Sequence, residues 1–200
     1  LCTQNLATAL SPTIDDGSAY FHTQLYTGDG TTNRSITNDA NAGDFQPDFL
    51  WIKERSSTSG PRVFDSNRGA GKRLVPSDTG AESSGDETTS FDSDGFTIGG
   101  TTSGTGPVNE NTQTYVAWQW KANGGTTSSN TDGSITSTVQ ANTTAGFSIV
   151  TWTSTGGNES IVHGLGVTPS FFITKNRTVG ANWKLYHHKN TPATEKENVN

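Results

Sequence analysis

Two hundred residues with 29% apolar side chains, 16% charged ones and a net charge of −6 leave room for one large domain or two of about a hundred residues each. A pI near 5.1 supplies no basic stripe for phosphates, which argues against nucleic acid as a partner. No apolar run reaches the length of a membrane helix or resembles a signal-peptide core, so no membrane partner is expected.

Low apolar content would suit a disordered chain, but such chains are highly charged and poor in aromatics, whereas aromatic residues here reach 9%. Ser, Thr, Gly and Asn dominate instead, the composition of short strands joined by many turns. The expected fold class is all-β with thin cores. The chain begins at Leu1 and holds no Met, as a processed product or a segment of something longer would. Cys2 is the sole cysteine, so no internal disulfide staples the fold; an inert thiol and a link to another chain are the two readings of it.

In chain order, the predicted strands are AYFHTQLYTG from Ala19, FQPDFLWIKER from Phe45, RVFDS from Arg62, SFDSDGFTIGG from Ser90 and QTYVAWQWKA from Gln113. GFSIVTWTST from Gly146, PSFFITKNR from Pro169 and NWKLYHH from Asn182 complete the series. Each alternates β-branched or aromatic residues with polar ones, or is a short apolar run bounded by polar clusters. Asp-Gly pairs at Asp16-Gly17, Asp29-Gly30, Asp94-Gly95 and Asp132-Gly133 mark turns, because glycine tolerates the positive φ of tight hairpins. No segment keeps helical spacing for three turns, and the strand and turn spacing points to a sandwich.

QPDFLWIKER from Gln46 and TPSFFITKNR from Thr168 carry nearly the same pattern. Pro47 answers Pro169, Phe49 answers Phe171, Lys53 answers Lys175 and Arg55 answers Arg177 at one constant offset. Upstream, FHTQLYTGDG from Phe21 corresponds to FSIVTWTSTG from Phe147; downstream, Arg62-Val63-Phe64 corresponds to Lys184-Leu185-Tyr186. A shared order of strands favours a duplicated unit over a duplicated site. The prediction is two tandem jelly-roll-like β-sandwiches: a first unit over residues 1–122, a Gly/Ser/Thr/Asn-rich linker with the first strand of the second unit over 123–145, and a second, incomplete unit over 146–200. The second has no counterpart to FDSDGFTIGG and TYVAWQWKA in the 200 residues, so either the natural polypeptide continues or strands from another chain finish the sheet, with other copies of the chain, adding strands at an open edge, as the expected partners. Proline donates no hydrogen bond and suits the start of each repeated strand; the Phe two residues on should then face the interior, with Lys53, Arg55, Lys175 and Arg177 running out to solvent.

The motifs YTGDG, FQPDFLWIKER, SFDSDGFTIGG, YVAWQWKANG, DGSITSTVQANTTAGFSIVTW and HGLGVTPSFFITKNR followed by NWKLYHH resemble a repeat domain of virion proteins of marine and cyanobacterial bacteriophages. The resemblance runs from about Tyr20 to His188. It implies a concanavalin-A-like or laminin-G-like sandwich in a tail, fibre or other exposed structural protein, a virion-surface or extracellular location, and no catalytic residues.

Five tryptophans are the candidate ligand contacts. Trp118 and Trp120 share one strand face; exposed, they would stack on sugar rings, and buried, they would fill the sandwich. The interior is the expected place, because Val116 shares that face, and Trp51, Trp152 and Trp183 are read in the same way. Asp92 and Asp94 stand in a D-x-D-G arrangement that could offer oxygens to calcium, but the further ligands of an EF-hand loop are missing and a solvated turn is the plainer reading. His163, His187 and His188 lack a third ligand, and neighbouring strand histidines face opposite ways. GAGKR from Gly69 departs from the phosphate-loop pattern at Ser66 and Arg73. No G-x-S-x-G elbow occurs, and nothing selects two of Asp44, Asp48, Glu54 and Asp65 as a glycosidase pair, so no enzyme is expected. Asn33, Asn142, Asn158 and Asn176 begin N-x-[ST] sequons, at the frequency a Ser/Thr-rich chain has by composition. The expectation is a non-enzymatic structural subunit with glycan adhesion as an added role and no cofactor unless calcium; the alternative is a secreted carbohydrate-binding module.

Overall fold

The computed structural model describes residues 14–39, 43–99, 108–189 and 197–199. Cys2 lies outside them. Among the described residues the chain is all-β, with several small antiparallel sheets and one 3-10 turn, Gly17–Ala19, started by Asp16, whose carboxylate accepts the Ser18 N–H at 2.9 Å. The strands are β1 (Phe21–Thr27), β2 (Arg34–Thr37), β3 (Phe49–Glu54), β4 (Arg62–Asp65), β5 (Lys72–Arg73), β6 (Ser83–Ser84), β7 (Thr88–Asp92) and β8 (Gly95–Ile98). They continue with β9 (Thr114–Trp120), β10 (Ser128–Asn130), β11 (Ser137–Asn142), β12 (Phe147–Trp152), β13 (Phe171–Thr174), β14 (Trp183–His187) and β15 (Glu197–Val199).

Their sheet orders are β1-β9-β3-β4, β2-β8-β7, β5-β6, β10-β11-β12 and β13-β14-β15. All eight predicted strand stretches contain a strand, while β2, β5, β6 and β10 are too short or too polar to stand out by alternation. The Asp94-Gly95 pair closes the β7–β8 hairpin, in which Asp92 pairs with Gly95. Gly95 has φ 118° and lies against β2 so closely that a Cβ would stand 2.1 Å from the Ile36 carbonyl oxygen. Only glycine fits there.

The main core draws on β1, β2, β3, β4, β8 and β9: Tyr26, Ile36, Leu50, Ile52, Phe64, Phe96, Ile98, Tyr115 and Ala117 are all buried, together with Val108, which precedes β9. Tyr26 stacks on Tyr115 with ring centres 5.0 Å apart and meets Phe96 edge-on at 6.5 Å. Both phenols are satisfied inside. Tyr26 donates to the Val108 carbonyl at 2.8 Å, and the Tyr115 hydroxyl accepts from the Glu110 N–H at 3.0 Å.

Which residues face this core differs from the sequence expectation. Trp118, Trp120 and Val116 do share a face, but Tyr115 and Ala117 supply the core, so the tryptophans lie on the opposite, outer side of the sheet. β3 behaves likewise: Leu50 and Ile52 point inward, which puts Phe49 on the outer face. FLWI is apolar on both faces, so alternation alone does not choose between them, and a shift of one residue reverses every side chain.

The two copies of the repeated stretch adopt one pairing. In β3–β4, Phe49 pairs with Asp65, Leu50 with Phe64, Trp51 with Val63 and Ile52 with Arg62. In β13–β14, Phe171 pairs with His187, Phe172 with Tyr186, Ile173 with Leu185 and Thr174 with Lys184, the same register displaced by the offset of the repeat. The closing hydrogen bond is also repeated, Ser66 N–H to the Asp48 carbonyl and His188 N–H to the Ser170 carbonyl, each at 2.9 Å.

Burial pushes the Tyr115 phenol up to about 12, with a nearby Glu54 charge adding to it against the Glu110 N–H bond, and burial raises Tyr26 well above 10. Both groups stay protonated in the fold where they would ionise in the unfolded chain. The contribution of Tyr115 to stability is whole below pH 10 and falls between pH 10 and about 12, and that of Tyr26 is likewise whole below pH 10 and lost as pH rises above it. Tyrosinate absorbance from these two rings should therefore be absent near pH 10 while β-sheet circular dichroism persists in an alkaline titration; their ionisation near pH 10 in a chain that is still folded would refute the burial argument.

Candidate functional site

A dense set of hydrogen bonds lies where β3 begins. Asp48 follows Pro47 and is fully buried. One carboxylate oxygen accepts the N–H groups of Ala122 at 2.7 Å and Gly124 at 2.9 Å; the other accepts Gly125 N–H at 2.6 Å and the Ser66 hydroxyl at 2.7 Å. Its backbone N–H donates to the Trp120 carbonyl at 2.8 Å. Asp48 thus fastens the entry of β3, the exit of β4 and the turn after β9. Gly125 has φ 79°, and a Cβ on it would meet the Gln46 amide nitrogen at 2.4 Å, so the turn around the carboxylate needs glycine.

From this turn the chain enters β10, and β11 and β12 come to lie beside the exit of β4. Gln140 donates to the Ser66 hydroxyl at 3.0 Å, the Asn67 amide donates to the Thr138 carbonyl at 3.3 Å, and the Thr151 hydroxyl donates to the Asn67 side-chain oxygen at 2.7 Å. Next to these bonds, Trp120 packs with Phe21, Phe49 and Phe147 at ring-centre distances of 4.9, 5.4 and 6.3 Å. Phe147 comes from β12, so one end of the outer aromatic face is covered by the later part of the chain.

A second contact lies at the loop after β5. Glu82 receives Arg177 through two bonds, 2.8 and 3.0 Å, and Arg68 through one of 3.1 Å, while Arg68 also pairs with Asp65. Lys175 donates to the Thr79 carbonyl at 3.2 Å. Trp183 is buried, and its indole N–H is shared between the carbonyls of Val75 and Asp78 at 3.2 Å each. Lys175 and Arg177 therefore bind the first half of the chain, whereas the sequence placed them in solvent; Arg55 is exposed as expected. Burial acts to raise the Glu82 carboxyl, but hydrogen bonds and charge from Arg177 and Arg68 prevail and hold it below its ordinary 4.5.

The tryptophans fall into two groups. Trp120 and Trp183 are locked into the contacts just described. Trp51 and Trp118 are half-buried direct cross-strand neighbours on the outer face, beside exposed Thr23 and Leu25. Trp152 is exposed at the end of β12. Asp92 is occupied on both oxygens, by the Ser90 hydroxyl at 2.6 Å and the Thr97 hydroxyl at 2.7 Å. Asp94 is raised by burial and by the charge of Asp44. Among the described residues no group of three or more His, Cys, Asp or Glu side chains gathers as metal ligands. His163 accepts the Leu165 N–H at 3.2 Å, and Arg73 of the GAGKR stretch pairs with Glu87. Of the sequon residues, Asn33 (φ 53°) and Asn158 are exposed, while the side-chain oxygens of Asn142 and Asn176 cap turns at Ala145 and Thr178.

Residues 16–200 match the family described as Domain of unknown function (DUF7483). The chain belongs to the DUF7483 family. No curated protein and no solved structure matches it. The DUF7483 match includes both copies of the repeat and both contacts, at Asp48 and at Glu82, within one span.

Sequence reasoning passed over Asp48 as an unselected carboxylate. Its signal was a difference inside the repeat, Asp48 against Ser170 at matched positions. Asp48→Ala would leave three N–H donors, the buried one of Ala122 among them, without their acceptor; it should lower the unfolding free energy by about 2 kcal/mol in a urea titration. A loss below about 0.5 kcal/mol would mean that the turn holds without the carboxylate. For Glu82 the folded value is depressed, so its contribution is present above pH 4.5 and is lost as pH falls below that. Glu82→Gln should flatten this part of an acid stability profile, and an unchanged profile would remove Glu82 from the contact.

Proposed function

We propose that this DUF7483 chain is a non-enzymatic structural subunit of a virion-surface or extracellular assembly of the fibre, tail or capsid-surface kind, made of two related sandwich-type units and associating with copies of itself. One observation carries the reading: the same hairpin is built twice in the same register, the first time inside a four-stranded sheet and the second time at a sheet edge. Repetition of a supersecondary unit is the economy of extended assemblies, and an open edge is a means of joining them. The core shared by β1-β9-β3-β4 and β2-β8-β7 supports a sandwich for the first unit. The viral setting rests on the motif resemblance.

Three of the four carboxylates considered for catalysis also favour a structural role. Asp48 is saturated by backbone N–H groups, Asp65 is paired with Arg68, and Glu54 is buried beside the Ser56 hydroxyl at 3.2 Å. None of the three is free to serve a substrate.

A second reading, a carbohydrate-binding module, is favoured by Trp51 and Trp118 lying side by side on an outer face, the arrangement from which sugar rings are stacked. Negative-stain electron microscopy of the purified protein separates the two. Regular fibres or rings are expected for the structural subunit, while isolated globules would sink it. On a glycan array, Trp118→Ala and Trp51→Ala should each weaken any sugar binding by about tenfold with the fold intact; binding that ignores both substitutions would take the outer face out of consideration.

A further inference from the structure

We infer that Asn123 is a modification site: its side-chain amide is open to deamidation through a succinimide, and the Asp48 carboxylate blocks that reaction while the turn after β9 stays wrapped around it. The site is independent of the assembly reading.

Asn123-Gly124 is the sole Asn-Gly pair in the 200 residues. Deamidation needs an asparagine side chain and the backbone nitrogen that follows it. That nitrogen attacks the side-chain Cγ, and the new C–N bond closes a five-membered imide. The Cγ–Nδ2 bond breaks, and ammonia leaves with the proton given up by the backbone N–H. Water then opens the ring at either carbonyl. One opening gives aspartate; the other gives isoaspartate, in which the main chain runs through Cβ and Cγ. Water is the only co-reactant. A side chain on the following residue crowds the attack, and glycine has none. Asn123 and Gly124 are both exposed, so water reaches the pair.

The bonding of the turn opposes this chemistry. Gly124 N–H, which carries the attacking nitrogen, donates to an Asp48 carboxylate oxygen at 2.9 Å. Ala122 N–H donates to the same oxygen at 2.7 Å, and Gly125 N–H to the other at 2.6 Å. Ring closure requires the Gly124 nitrogen to give up its proton. The negative charge this leaves would lie beside the carboxylate, where like charges repel. Closure also requires the Asn123–Gly124 peptide to rotate until the nitrogen meets Cγ. Asp48 is fully buried and holds the peptides on both sides of Asn123, so that rotation breaks its bonds. The reaction therefore waits for the turn to open.

The product does not fit the closed turn. Isoaspartate adds one methylene to the main chain between the Ala122 and Gly124 nitrogens, which now share one carboxylate oxygen. Aspartate places a second negative charge beside a buried one. Either change weakens the bonds that lead the chain from β9 to β10, so an opening long enough for the imide to form leaves a permanent mark.

The test follows the mass gain of deamidation, located by peptide mapping, at mildly alkaline pH. Three samples are compared: the folded protein, the same protein unfolded in urea, and a synthetic peptide of residues 121–127, KANGGTT. The peptide and the unfolded chain should react at similar rates, and Asn123 of the folded protein at least about tenfold more slowly. Asp48→Ala, shown to be folded by circular dichroism, should react at least about tenfold faster than the parent. Ile98→Val weakens the core in another sheet and should leave the rate within about twofold. In the unsubstituted protein, low urea should raise Asn123 deamidation and Gly124 amide exchange in proportion, a comparison that holds even where Asp48→Ala fails to fold. A folded protein that reacts as fast as the peptide overturns the inference. So does a folded Asp48→Ala protein with the parent's rate, an equal acceleration by Ile98→Val, or deamidation that rises without Gly124 exchange.

Discussion

The arrangement of the chain depends on one buried carboxylate. A charge taken out of water is costly unless hydrogen bonds replace its hydration, and Asp48 receives three from backbone N–H groups and one from Ser66. Those backbone donors belong to a single turn, Ala122 to Gly125, which must wrap the carboxylate to supply them. Satisfying the charge therefore fixes where the chain goes after β9. It leads into β10 and on to β11 and β12, beside the exit of β4, where Ser66 and Asn67 bond to them. The segment read from composition as a Gly/Ser/Thr/Asn-rich linker is held at its start by this carboxylate.

The same turn divides the outer aromatic face. Bringing β12 back places Phe147 against Phe49 and Trp120, so one side of those rings is covered from within the chain. Trp51 and Trp118, one pair further along the ladder, stay partly open. Two tryptophans of one strand with the same alternation thus have different roles, Trp120 in a contact within the chain and Trp118 on the surface. Their spacing could not separate them, because what differs is a neighbour from a distant part of the sequence.

The legibility of the sequence follows the range of the interactions. Strand positions, the Asp94-Gly95 hairpin and the repeat rest on alternation and turn chemistry within a few residues, and these were readable. The facing of β3 and β9 was not, because FLWI and YVAW place apolar groups on both sides and the choice is made by Phe96 and Ile98 of another sheet. The ion pairs of Glu82 with Arg68 and Arg177 join residues far apart in the chain. Arg177 looked like the twin of exposed Arg55, and nothing within the repeat told them apart.

A repeated sequence fixes a repeated hairpin, but not what the hairpin does. Register is a property of the two strands and their connection, and it is conserved between β3–β4 and β13–β14. Burial is a property of what surrounds them. Where the first copy has Asp48 to bind the turn leaving β9, the second has Ser170, which offers no charge for such a turn to wrap. The positions that hold the first hairpin inside its sheet are the ones that changed, while the apolar strand they serve was kept. A strand that remained apolar only from descent would be expected to gain charge on its exposed faces, since that is how sheet edges are protected from unwanted pairing. FFIT carries no charge, so nothing in the strand's own side chains protects it in that way.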